Sequence, residues 1–98
     1  MANDPALFET VRCEAMLGNP HALYALGLIY AEGRGVQRSL VDAYAWLTVA
    51  VLHGDVDAEL LRNHVAIDMT DEEFDEGKRC AANYQENIRA AMKSSTSH

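Results

Sequence analysis

Residues 26–46 read LGLIYAEGRGVQRSLVDAYAW, and the way that stretch is parsed decides the fold. Its two ends carry apolar residues at helical spacing, while residues 33–36, GRGV, break the pattern with two glycines. A glycine after Glu32 adopts positive φ at little cost and closes a helix with a left-handed cap. Gly35 permits a second change of direction, and Val36 folds back onto the apolar seam. A phosphate-cradling loop needs a longer glycine-rich stretch after a strand, followed by Lys and Ser or Thr. Here the lysine is missing and the preceding element is a helix. The stretch is read as a corner between two packed helices.

Working outward, start and stop signals bound those two helices and mark three more. Asp4 and Pro5 pair an N-cap with proline at the first helical position, and residues 6–17 run to Gly18. Asn19 and Pro20 repeat that start for residues 21–32. Ser39 caps a third helix that reaches His53 and stops at Gly54. Asp55 opens a fourth, to about Asp68. Thr70 and Glu73 form a capping box ahead of a long helix to about Met92, and residues 94–98 read as a disordered tail. Strand alternation is absent. The expected fold is all-α, about five helices joined by short connections. Residues 1–93 form a single domain, closed by a capping helix over residues 70–93.

Apolar stripes place the core. Ala22, Leu26, Ile29 and Tyr30 line one face of the second helix; Leu40, Ala43, Trp46, Leu47 and Ala50 line one face of the third. Small residues at Ala22, Gly27, Ala43 and Ala50 let those two backbones approach, with Tyr30 and Trp46 expected to fill the space between them.

The chain also echoes itself. A shift of 36 residues sets Gly18 on Gly54, Asn19 on Asp55 and Ala22 on Ala58, a period within the range of helix-pair solenoids.

Ala22, Leu26, Gly27, Tyr30, Gly33, Gly35, Val36, Ala43, Trp46, Ala50 and Gly54 fall in the order A-xxx-LG-xx-Y-xx-G-x-GV…A-xx-W-xxx-A-xxx-G. That pattern resembles the Sel-1-like repeat, a relative of the tetratricopeptide repeat. One complete repeat covers residues 19–54, with partial units on either side, and Ser39 stands where the family commonly has aspartate. The resemblance implies stacked helix–loop–helix units in a short right-handed α-α superhelix. It also implies a non-enzymatic module, an adaptor or regulatory subunit of bacterial type, that holds a protein or peptide. In the family the first helix of each pair lines the concave side. His21, Tyr24, Leu28 and Ala31 share a face displaced from the core stripe, so Tyr24 and Leu28 are the foremost contact candidates, with His21 and with Arg34 at the loop tip.

Other classes are weakened by composition. The 98-residue chain carries 15 acidic and 8 basic side chains, net −7, which repels nucleic acid and anionic lipid. No apolar run is long enough to span a bilayer, and the N-terminus shows no secretory signal. The expected address is cytoplasmic, or periplasmic only if a precursor segment has been removed. Cys13 and Cys80 form no CxxC, and the four histidines have no metal-ligand spacing, so no cofactor or metal is expected. The acids from Asp71 to Glu76 lack the ligand alternation of a calcium loop and suit the start of a helix. No nucleophile stands beside a base. A short array leaves apolar ends, so a self-associating structural subunit is the alternative to an adaptor. Cysteine-rich relatives linked to β-lactam binding or hydrolysis carry regular cysteine pairs, which this chain lacks; that enzyme reading ranks third.

Overall fold

A computed structural model describes residues 5–96. Five α-helices follow in order: α1 (Pro5–Met16), α2 (Pro20–Glu32), α3 (Leu40–Leu52), α4 (Val56–Ile67) and α5 (Asp71–Thr96). No strand occurs among the described residues. The expected all-α class is what the chain adopts. The cap expected at Asp4 lies outside the described residues. Helix α5 continues past the expected tail boundary at Ser94, since no glycine or proline follows Gly77 to stop it; residues 97–98 lie outside the description. Its 26 residues span roughly 39 Å at 1.5 Å per residue.

The corners form as their residues dictate. Gly33 has φ +70° and ψ 41°, and its N–H donates to the Ile29 carbonyl at 2.8 Å. Gly35 is also left-handed, at φ +77°. Ser39 N–H then reaches back to the Tyr30 carbonyl at 3.0 Å, and the Ser39 hydroxyl accepts from Asp42 N–H at 3.1 Å to open α3. At the start of α5, Thr70 N–H donates to Glu73 Oε1 at 2.9 Å while Glu73 N–H donates to Thr70 Oγ1 at 3.1 Å. The capping box is formed in both directions.

The echo at 36 residues is a repeat of hydrogen bonds as well as letters. Gly18 N–H donates to Ala15 O at 2.9 Å, and Gly54 N–H to Val51 O at 3.0 Å. Asn19 N–H reaches Glu14 O at 3.3 Å, and Asp55 N–H reaches Ala50 O at 3.0 Å. Each cap then accepts from the residues two and three further on: His21 and Ala22 donate to Asn19 Oδ1 at 2.9 and 3.4 Å, Asp57 and Ala58 to Asp55 Oδ1 at 3.0 and 3.3 Å. Ala22 and Ala58, which follow the two caps at the same offset, are both buried.

Helix α3 is the centre. It packs against α2, α4 and α5, whereas α1 lies on α2 and touches α5. Burial follows from that position: Ala43, Tyr44, Ala45, Trp46, Leu47, Val49 and Ala50 are all buried. The single stripe expected for α3 is therefore too narrow, because three neighbours surround the helix. On α2 the buried set is Ala22, Leu23, Leu26 and Gly27, so Leu23 joins the core while Ile29 and Tyr30 are only partly covered.

The aromatic rings do not fill the α2–α3 seam. Trp46 stacks on Tyr84 of α5, centroids 4.1 Å apart at 12°, and Tyr30 meets Phe8 of α1 edge-on at 6.2 Å. The seam is closed by small residues instead. A Cβ on Gly27 would stand 2.6 Å from the Leu47 side chain, so the glycine sets how closely α2 and α3 approach. Gly77 has the same role opposite Tyr44, whose ring lies 2.8 Å from its absent Cβ and packs edge-on to Phe74.

Candidate functional site

Helices α2 and α4 both lean on α3 and scarcely touch each other. A cleft of about 360 Å³ opens between them, lined by Tyr24 of α2 and by Asp57, Leu60, Leu61 and His64 of α4. The local sequence places these side chains. Ala58 and Val65 of α4 are buried, which turns the neighbouring stripe at 57, 60, 61 and 64 toward α2, since residues three and four apart share a helical face. On α2, burial of Leu23 and Leu26 leaves Tyr24 half-exposed at the cleft wall. Leucines and a tyrosine ring give the cleft an apolar body, and a carboxylate and an imidazole stand at its rim.

Asp57 and His64 are seven residues apart on one helix, about 10 Å along its axis, and no hydrogen bond joins them among the described residues. The geometry suits an anchoring side chain with a polar or basic tip, as in apolar pockets that receive peptide residues.

The four contact candidates from the sequence are not on one surface. Tyr24 is in this cleft. Leu28 and Arg34 line a second groove of about 260 Å³ between α1 and α2, with Leu7, Val11 and Ile29 among its walls. Arg34 Nε lies 2.6 Å from Glu32 Oε1, so the loop-tip cation is already paired. His21 is exposed at the first turn of α2, and Ala31 packs on the core. The α4 residues of the cleft had no place among the candidates, although the spacing of Asp57, Leu60, Leu61 and His64 shows them to be one face.

Away from the cleft, packing perturbs Tyr84, Tyr30 and Cys80. The Tyr84 hydroxyl donates to Asp42 Oδ1 at 2.5 Å; burial first, and then that bond, push the phenol well above its ordinary value. Burial, reinforced by Asp42, also raises Tyr30, and burial raises the Cys80 thiol, away from the thiolate a nucleophile needs. Cys13 and Cys80 are both free. Among the described residues no group of His, Cys, Asp and Glu could hold a metal ion, and no helix is long and apolar enough to cross a membrane.

No protein-family model matches the chain. It is similar to the alginate biosynthesis protein AlgK of Azotobacter vinelandii, 34% identical over 62 residues, which is 63% of this chain and 14% of AlgK. The chain thus corresponds to a small part of that longer protein. The likeness supports a helical-repeat protein and nothing narrower, in agreement with the doubled corner at Gly18 and Gly54.

Proposed function

We propose that this chain is a Sel-1-like helical-repeat module that acts without catalysis, as an adaptor or regulatory subunit, by holding a segment of another protein in the cleft between α2 and α4. The observation that carries the reading is the cleft itself: Tyr24, Leu60 and Leu61 present apolar surface where α2 and α4 stand apart. Aromatic and aliphatic anchors dominate such contacts. The second groove, at Leu28 and Arg34, has its cation already paired with Glu32 and ranks behind. AlgK is named for alginate biosynthesis, but a match to 14% of it does not bring that pathway to this chain. A structural subunit that pairs chiefly with itself remains the competing reading, and sedimentation over a wide concentration range separates the two.

The cleft reading is tested with peptides selected by display against the purified chain. Binders are expected to shift nuclear magnetic resonance signals of α2 and α4 and to lose about tenfold in affinity, ~1.4 kcal/mol, in Tyr24→Ala. Binders that map elsewhere and ignore Tyr24→Ala would remove the cleft from the account.

A further inference from the structure

Helix α4 is apolar on two opposite sides. Ala58 and Val65 face the core. Ile67 is nine residues beyond Ala58 and Val56 nine before Val65, about two and a half turns in each case, which sets both on the far side of the helix. Leu60 shares that far stripe. The three are 80% (Val56), 71% (Leu60) and 77% (Ile67) exposed. A surface helix ordinarily turns charged residues outward opposite its core stripe; here Val56, Leu60 and Ile67 stand there over about three turns, ~16 Å, with the uncharged Asn63 exposed between Leu60 and Ile67.

The formally charged groups bordering the stripe are mainly acidic, with the His64 imidazole beside them. Asp57 and Asp68 lie on one side and Glu59 on the other, all exposed. Arg62 is mostly covered and already lies 4.0 Å from Glu59, and the chain as a whole carries net −7.

We propose that the outer face of α4 docks an amphipathic helix of another protein, one whose apolar stripe is bordered by lysine or arginine. The apolar residues at 56, 60 and 67, one and then two turns apart, match anchors on a helix laid alongside. The carboxylates at the edges select a cationic border and repel an acidic one. A second copy of this chain would bring the same carboxylates and the same net charge to the face, so self-pairing there opposes itself. The inference rests on the chain being an interaction module, and its test separates it from the Tyr24 cleft: Asp57 and Leu60 belong to both surfaces, whereas Val56 and Ile67 do not line the cleft.

Two synthetic helical peptides test it by fluorescence anisotropy against the full chain at physiological salt. They carry the same leucine stripe, bordered by lysine in one and glutamate in the other. The lysine peptide is expected to bind at least tenfold more tightly. Val56→Asp, which suits the first turn of α4, and Ile67→Ser should each weaken it at least tenfold, with circular dichroism and melting temperature retained. Tyr24→Ala should leave its binding unchanged. Attraction by bulk charge alone predicts that Val56→Asp, one charge more negative, binds as well or better, and that result overturns the proposal. So does equal binding of the glutamate peptide, or a dimer in sedimentation that Val56→Asp dissolves. Release of the lysine peptide by Tyr24→Ala but by neither stripe variant would assign it to the cleft and reject the outer face.

Discussion

Tyr84 is tied to α3 twice over: its hydroxyl donates to Asp42 Oδ1 at 2.5 Å, and its ring lies flat on Trp46, centroids 4.1 Å apart. One residue of α5 thereby holds two successive turns of the central helix, and Tyr44 against Phe74 adds an edge-on contact nearer the start of α5.

Tyr84→Phe keeps the stack and removes the bond, leaving Asp42 without that donor. A hydrogen bond to a charged group contributes about 1.5–3 kcal/mol, so denaturant unfolding should report a loss in that range. The pH dependence has a definite sign. Folded Tyr84 holds its proton more tightly than the unfolded chain does, so its stabilisation is complete below the ordinary tyrosine value, about pH 10, and fades as pH rises through the folded value. Stability of the parent chain should fall in alkali more steeply than that of Tyr84→Phe.

Trp46 is 7% exposed and packs against α5. Trp46→Ala should cost roughly 3–5 kcal/mol, read as a lowered denaturation midpoint. Because the ring meets α5, the loss should free the Tyr84 region and leave the α2–α3 seam in place, a distinction that exchange of individual resonances can resolve.

Gly27→Ala is expected to destabilise by about 1–3 kcal/mol through overpacking, even though alanine favours a helix by about 1 kcal/mol over glycine. The added methyl would lie 2.6 Å from Leu47. A melting temperature equal to or above the parent's would show that α2 and α3 move apart freely. Pairing the change with Leu47→Ala should recover part of the loss.

The two equivalent corners make a matched experiment. Asn19→Ala and Asp55→Ala each delete a cap that accepts two backbone N–H groups, and each should cost about 1 kcal/mol. Similar losses from both, adding in the double variant, are expected of two independent copies of one corner.

What the sequence revealed was mostly local. Caps and corners at Asn19, Gly33, Ser39, Gly54, Asp55 and Thr70 depend on residues within a few positions, and their chemistry reads directly. The seam at Gly27 was visible as a small residue among large ones. The destinations of the rings were not, since Trp46 and Tyr84 meet directly but are separated along the chain by the whole of α4, and nothing near Trp46 names its partner. The central place of α3 did leave a trace: Asp42 is its one charged residue, and a helix apolar all round is an interior helix. The cleft was half legible. Tyr24 stood out as an exposed ring on α2, but the facing wall on α4 emerges only when α3 seats both helices.

A helix enclosed on three sides also governs how the molecule comes apart. In a long solenoid each unit touches only its neighbours, and ends can melt while the middle persists. Here α2, α4 and α5 all meet at α3, so none can leave without uncovering it. Deuterium should enter the backbone of α3 only through whole-molecule opening, while α1, fastened to α2 and the margin of α5, would exchange sooner as a separate cooperative unit.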